Sequence, residues 1–437
     1  MVVPFFIGSP SLAPKRPLFL TIGALKPFGA AIRDLTNVDS VGDKAYLTLD
    51  DLDLGGRRVL VRADLNVPLE AGRVTDDFRI VSALETIQRL RQARAKVIVC
   101  SHLGRPKDRE PEFAMDAVAT RMSELGGFPV RKLNQVVGPG VEKTVADQLP
   151  GEVVLLENTR FEKGETDNDP ALATDLARLA DLFVEDAFGS VHRAHASTVG
   201  VAERVRSAAG PLLVKEVEAL GRFLADPERP YVVVLGGAKI SDKLGVIRNL
   251  LPKVDSMLIG GGMCFTLMAA QGKQIGKSLV EEDQVDNVAE LLSGPYGSRI
   301  VLPTDFVIAD RFAEEAEPKV VAADGIPDDS LGLDIGPETA GAFADIVSGA
   351  RSVFWNGPMG VFEWEAFRAG TEAVANALVE CEGFTAVGGG DSAAALRSLK
   401  MDDKVSHLST GGGAGLEMLE GKELPGVAVL AKWVTRG

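Results

Sequence analysis

The sequence predicts an α/β fold of two lobes, each a parallel sheet flanked by helices, and three observations carry the prediction. From Leu49 onward short β-rich runs alternate with longer helical patterns, as parallel strands joined by crossover helices require. The residues that follow the runs change in kind halfway along, from arginine and histidine to glycine. Between the halves, KEVEALGRFLADPERP (Lys215 to Pro230) sets Leu220 and Leu224 four apart and stops at Asp226-Pro227, which reads as a helical linker able to act as a hinge.

In the first half the runs are VLVRADLN from Val59, KVIVCSHLGRP from Lys96, VVLLENTRF from Val153 and LFVEDAFGS from Leu182. Between the first two, Ile80, Leu84, Ile87 and Leu90 recur at helical spacing, which completes a βαβ unit. The second set is YVVVLGGAK from Tyr231, MLIGGGM from Met257, IVLPTDF from Ile300, VFWNGPMG from Val353 and TAVGGGDS from Thr385. The closing segment GKELPGVAVLAKWV (Gly421 to Val434) is apolar and is expected to pack back on a lobe. The chain divides on this basis into a leader (1–44), an N-terminal lobe (45–215), a hinge helix (216–230), a C-terminal lobe (231–420) and a tail (421–437).

Composition bounds the function. The chain has 437 residues, 46% of them hydrophobic and 25% charged, enough for two or three domains with substantial cores. A net charge of −15 argues against general nucleic-acid binding, so any anionic ligand must meet a local basic patch. Cys100, Cys264 and Cys381 lie far apart in apolar runs and form no CxxC pair, which fits a reducing, cytoplasmic setting without disulfide or zinc. No stretch reaches the about 20 apolar residues of a membrane span. Up to Asp34 the leader has no acidic residue and carries Lys15, Arg16, Lys26 and Arg33; it reads as a targeting peptide or as an extended start outside the fold.

Ligands of open parallel sheets sit at the carboxyl ends of the strands, so the two halves present two sites of different chemistry. In the first, Arg62, Asp64 and Asn66, then His102 and Arg105, then Arg160, then His192 and Arg193 suit a small anion read by arginine forks. Each arginine alone is an ordinary surface ion pair; strand ends that deliver them together are not. His195 stands in the same loop and packs or pairs, and no role is assigned to His407.

In the second half, Gly236-Gly237, Gly260 to Gly262, Gly357, Gly388 to Gly390 and Gly411 to Gly413 suit phosphates cradled by backbone N–H groups. Lys239 and Lys243 in GGAKISDK are four apart and read as two ammonium groups on one face of a helix start, facing phosphates or only solvent. WNGPMGVFE is a turn with Asn356 ahead of a carboxylate, Glu363. Asp391 in VGGGDSAA caps a helix or meets the magnesium of a nucleotide. Gly276-Lys277-Ser278 lacks the glycine of a Walker loop, since Gln271 stands there, and Leu416 breaks a GxGxxG at Gly411.

RADLNVP, SHLGRP, LLENTRF, DAFGSVHRAHAS, GGAKISDK, LGLDIGPET, WNGPMGVFE and GGGDSAAA, in this order from about Tyr46 to the end, resemble phosphoglycerate kinase. The resemblance implies a monomer of two Rossmann-like lobes joined by a helical hinge, with the tail returning to the N-terminal lobe. It implies 3-phosphoglycerate on the N-terminal lobe, held by Asp64, Asn66, Arg79, His102, Arg105, Arg160 and His192, with Arg62 and Arg193. It implies ATP or ADP with Mg2+ on the C-terminal lobe, near Lys243, Gly332, Asn356, Glu363, Gly389, Gly390, Asp391 and Ser392, the metal held through the nucleotide beside Asp391. Arg79, Lys239 and Gly390 become the groups at the transferring phosphoryl. Ser392 stands where threonine is common, DSLGLD replaces the usual GWMGLD before Gly332, and the leader has no family counterpart. A different two-lobed kinase would share the glycine loops and differ in its arginines; a non-catalytic nucleotide-binding protein would show gaps among the cations, and none is seen.

Overall fold

The protein is described by a computed structural model over residues 45–434, so the expected leader at 1–44 and the end of the expected tail lie outside the described residues. In the first half β1 (Arg58–Arg62), α1 (Phe78–Gln92), β2 (Lys96–Cys100), α2 (Asp116–Gly126), β3 (Val130–Lys132), α3 (Pro139–Ala146), β4 (Val153–Leu155), α4 (Pro170–Arg178), β5 (Leu182–Glu185) and β6 (Arg206–Ala209) follow one another. The strands lie side by side as β3-β4-β2-β1-β5-β6, and every pairing is parallel. RVLVR can be the central strand because helices cover both sheet faces, and Val59, Leu60 and Val61 are completely buried. Helix α1 turns Ile80, Leu84, Ile87 and Leu90 inward, as their spacing dictates. The edge strands β3 (VRK) and β6 (RSAA) lack an apolar run and are invisible to a hydrophobic-pattern reading.

Helix α5 (Pro211–Leu224) opens on Pro211 in its first turn and leads into the second half. There β7 (Tyr231–Leu235), α6 (Leu244–Leu250), β8 (Ser256–Ile259), α7 (Cys264–Ala270), α8 (Val285–Ser293), β9 (Ile300–Val301), β10 (Asp305–Ala309), β11 (Lys319–Ala322), β12 (Leu331–Ile335), α9 (Pro337–Ser348), β13 (Ser352–Asn356), α10 (Ala369–Glu380), β14 (Phe384–Gly388), α11 (Gly390–Ser398), β15 (His407–Leu408) and α12 (Gly412–Leu419) succeed one another. The main sheet runs β9-β8-β7-β13-β14-β15, again all parallel. With the insert β10 to β12 set aside, this is the 3-2-1-4-5-6 order of dinucleotide-binding sheets, whose direction of winding reverses between β7 and β13.

The run IVLPTDF does not form one strand. It splits around Pro303, which has no N–H to give a central ladder, and its second part enters a separate antiparallel sheet of order β11-β10-β12. The lobes are not independent. One apolar core runs through α5, where Leu213, Val217, Leu220 and Phe223 join Phe188 on one side to Tyr231, Phe354 and Met418 on the other. Phe223 stacks on Tyr231 with ring centroids 5.6 Å apart. Beyond α12 the chain returns to the first lobe: Gly426 N–H bonds the Val191 carbonyl and Trp433 Nε1 the Ala202 carbonyl, each at 2.8 Å.

Candidate functional site

Parallel strands all end on the same edge, so the loops after β1, β2, β4 and β5 gather on one rim of the first lobe. Asn66 Oδ1 accepts the Gly104 N–H at 2.8 Å, which ties the first loop to the second. Asn158 ties the second to the third: its Oδ1 accepts from Leu103 N and Arg160 N, each at 3.1 Å, and its Nδ2 donates to the Leu103 carbonyl at 2.8 Å. Asn158, within ENTRF, escaped the sequence reading because its side chain serves the loops and not a ligand. Asp64 is buried against Gly189, where a side chain would stand 2.2 Å from Asp64 Oδ2.

The rim is crowded with positive charge. Arg160 bonds the Gly104 carbonyl through Nη1, its Nε is buried with no partner among the described residues, and burial with Arg193, Arg62 and Arg105 nearby lowers its pKa. His102 is held well below the usual histidine range by burial and by Arg62, Arg160 and Arg79. Burial and Arg193 depress His192, and burial takes His195 down to about 4 despite Glu165 at 3.9 Å. Guanidinium groups gathered beside neutral imidazoles in a half-buried cleft have the chemistry to suit an anion. One sequence-derived ligand stands apart: Arg62 is completely buried and spends its donors on protein acceptors.

Arg79, on the first turn of α1, bonds to both lobes. Its Nη1 donates to the Asn66 carbonyl at 2.8 Å and lies 3.4 Å from Asp64 Oδ1, while Nη2 reaches the carbonyl of Thr410, in the last glycine loop, at 3.4 Å. Asn66, Arg79, Gly389, Gly390, Arg397 and Thr410 line a cavity of about 330 Å3 between the lobes. A larger cavity of about 970 Å3 lies beside it, but its walls hold acids and bases already paired, such as Asp77 with Arg121 and Asp76 with Arg397. Of the sequence-derived site residues, Asn66, Arg79, Gly389 and Gly390 line the smaller cavity.

In the second lobe the glycine loops interlock. Gly236 N–H bonds the Asn356 carbonyl at 3.0 Å and Gly237 N–H the Pro358 carbonyl at 2.9 Å, at the point where the sheet reverses its winding. A Cβ on Gly236 would stand 2.1 Å from the Pro358 oxygen. Gly236→Ala is therefore expected to force these loops apart and to cost about 1–3 kcal/mol of stability, which urea unfolding checks.

The lysine pair differs from its expectation. Helix α6 begins at Leu244, so Lys239 and Lys243 do not share a helical face. Lys243 is buried, donates to the carbonyls of Gly236 (2.5 Å) and Asn356 (2.8 Å), and is brought down to about 8 by burial. It fastens the glycine loops together from behind. Lys239 is exposed and forms no ion pair among the described residues. Its loop is held by Glu281, which accepts from Ile240 N at 2.6 Å and Ser241 N at 3.0 Å.

Asp391 is exposed at the start of α11, and the helix carries no side-chain cap, so the capping reading fails. Ser392 is buried and accepts the Gly357 N–H at 2.6 Å; Asn356 Nδ2 bonds the Gly388 carbonyl at 2.8 Å. Within the glycine triplet, Gly389 needs its identity for a φ of +96° and for Asn356, 2.8 Å from a would-be Cβ, whereas a side chain at Gly390 would meet no protein atom within 4 Å. The protein's own packing does not demand that third glycine; it leaves bare backbone facing the cavity. Gly332 bonds Ser278 Oγ at 2.9 Å and is pressed on the Phe265 ring, and Glu363 is exposed. Leu279, half exposed at 49% and packed near Gly262, is an apolar face that the sequence reading missed.

Asp391, an exposed carboxylate next to the bare backbone of Gly390, has the chemistry of a single oxygen donor to a divalent cation, and among the described residues no cluster of three metal-ligating side chains occurs. No helix among the described residues is long and apolar enough to cross a membrane.

Comparison with known proteins gives one answer. The family model for phosphoglycerate kinase matches residues 49–422. A phosphoglycerate kinase of Moorella thermoacetica is 57% identical over 391 residues, covering 89% of this chain and 100% of the relative. One from Salinispora tropica is 56% identical, covering 88% and 98%. Among solved structures, phosphoglycerate kinase from Coxiella burnetii matches with a TM-score of 0.79 at 42% identity and that from Pyrococcus horikoshii with 0.81 at 32%, each over 89% of this chain and 99% of the other.

Proposed function

The chain belongs to the phosphoglycerate kinase family, and from that premise we propose that it transfers a phosphoryl group reversibly between 1,3-bisphosphoglycerate and ADP, giving 3-phosphoglycerate and ATP. The observation that carries the reading is Arg79, bonded at once to the cationic rim of one lobe and to the Thr410 carbonyl in a glycine loop of the other.

In this reading Asp64, Asn66, Arg79, His102, Arg105, Arg160, His192 and Arg193 hold 3-phosphoglycerate, and residues 45–215 form its lobe. Residues 231–420 hold the nucleotide, with Gly332, Asn356, Glu363 and Ser392 shaping its pocket, Leu279 offering the base an apolar face, and bare backbone at Gly389 and Gly390 meeting the phosphates. Residues 216–230 serve as hinge, and 421–437 as a tail returning to the first lobe. Mg2+, held through the nucleotide beside Asp391, supplies neutralising charge on the phosphates. The working form is a cytoplasmic monomer.

The acceptor is a carboxylate. With a pKa near about 4 it is already ionised at neutral pH, so no general base is needed. The chain's own groups instead position the two reactants and receive the charge of a loose transition state, a task assigned to Arg79 and Lys239 with the Gly390 N–H. Hinge closure excludes water and prevents hydrolysis of ATP.

The direct test is ATP-dependent turnover of 3-phosphoglycerate, coupled to glyceraldehyde-3-phosphate dehydrogenase and followed as NADH loss, with a control lacking magnesium. Magnesium-dependent turnover is expected; folded protein that binds ADP but turns nothing over would sink the reading. Asp391→Asn is expected to weaken the magnesium nucleotide about tenfold or more while sparing 3-phosphoglycerate. Calorimetry showing the reverse would remove Asp391 from the nucleotide site.

A further inference from the structure

We propose that Arg62 is a positioning residue that fixes His102 as its Nε2–H tautomer, so that His102 meets the anionic substrate as a neutral hydrogen-bond donor. This rests on the reading of the first lobe's rim as the acceptor site. Arg62, the last residue of β1, is completely buried. Its Nε donates to Ser197 Oγ at 2.9 Å, Nη1 to the Ala63 carbonyl at 2.6 Å, and Nη2 approaches His102 Nδ1 at 3.0 Å and Ser190 Oγ at 3.4 Å.

A guanidinium has donors only, so Nδ1 of His102 must accept. A neutral ring then carries its proton on Nε2, and an imidazolium would set N–H against N–H and positive charge against positive charge. Nε2 takes no partner from the described residues, and the residue keeps 8% of its surface exposed. It remains as a donor for something the protein does not itself supply.

The arrangement is braced from behind. Ser197 Oγ donates to Glu165 Oε1 at 2.5 Å and Ser197 N to Glu165 Oε2 at 3.0 Å. Glu165 is completely buried and is linked to Arg62 through the Ser197 hydroxyl, without occupying the guanidinium fork. The charged and titratable groups facing His102 are Arg62 from β1, Arg79 from α1, Arg160 after β4 and His195 after β5, and they keep the ring from taking a second proton. Glu185, at the end of β5 beside Arg62, is pushed up to about 8 by burial, against the pull of Arg62. Arg193 repeats the pairing at the rim, Nε to His192 Nε2 at 3.0 Å. Two arginines that a sequence reading assigns to substrate are thus bonded to histidines.

The test is nitrogen NMR of full-length protein labelled in its histidines, with His102 assigned by loss of its signal in His102→Asn. In substrate-free protein at pH 7, Nδ1 of His102 is expected unprotonated and Nε2 protonated, with any titration well below the ordinary histidine range. A proton on Nδ1, or a titration near 6.5, overturns the proposal with Arg62 left unsubstituted. Added 3-phosphoglycerate must then shift the Nε2–H signal. No shift in enzyme that still turns over overturns the donor role while the reaction itself stands. Arg62→Lys keeps the charge but loses the fork; it is expected to mix the tautomers and raise KM for 3-phosphoglycerate about tenfold with KM for ATP unchanged. Ser197→Ala, which removes the Nε partner, should do the same more weakly. An unchanged His102 spectrum in both variants would end the case for Arg62.

Discussion

Arg79→Ala is expected to lose turnover by about 10²-fold or more while ADP binds within about twofold of the unmutated protein. Arg79 touches both lobes, through the Asn66 carbonyl on one side and the Thr410 carbonyl on the other. In the free protein those carbonyls occupy its donors at modest strength, so an anion arriving in the cavity recruits a guanidinium already in place and loses little to reorganisation. Removal also leaves buried Asp64 without its ion-pair partner at 3.4 Å, so KM for 3-phosphoglycerate should rise as well. Arg79→Lys should recover part of the turnover, since it restores charge without the fork. Steady-state kinetics beside ADP calorimetry decide the matter: an ADP affinity that falls in step with turnover would move Arg79 out of phosphoryl transfer and into nucleotide binding.

Glu216→Ala is expected to cost about 3–5 kcal/mol, the largest stability effect of any single substitution proposed for this chain. Glu216 is completely buried on α5, between the lobes. One oxygen meets His407 Nε2 at 2.8 Å, and the other accepts from Thr410 N at 2.6 Å and Thr410 Oγ1 at 2.7 Å. Truncation therefore leaves a histidine ring, a backbone N–H and a hydroxyl without partners in a dry place, and it frees the loop whose carbonyl Arg79 contacts. Glu216→Gln keeps the volume and part of the hydrogen bonding and should cost less than half as much. Urea unfolding followed with turnover gives the answer. A change in stability under about 0.5 kcal/mol for the alanine variant would show that the linker helix and the last glycine loop are not clamped through this residue.

His407 and Glu216 also mark where sequence reasoning stops. His407 had no assignable role, and Glu216 lay unnoticed in the linker, because they are 191 positions apart and acquire meaning only when buried together. The lysine pair went astray for a related reason. Four-residue spacing implies a shared helical face only where a helix exists, and α6 starts just after Lys243, whose ammonium turns inward onto two carbonyls. Arg62 likewise matches its neighbours in type, yet its position as the last residue of a fully covered strand buries it where they are presented. Edge strands and the antiparallel insert stayed hidden because nothing in VRK, RSAA or a proline-split run carries a period.

What the sequence determined by itself was the alternation of apolar runs and amphipathic helices, and with it two parallel sheets whose strand ends carry cations in one lobe and glycines in the other. These are local properties, set by hydrophobic period and by which residues follow each strand. Tertiary structure alone decided which of those residues face the cavity, which brace it, and how the two rims meet at Arg79 and Thr410. That division has a physical cause. Burial and hydrogen-bond partnership depend on chain segments distant in sequence, and a buried guanidinium, ammonium or carboxylate takes its role from what surrounds it.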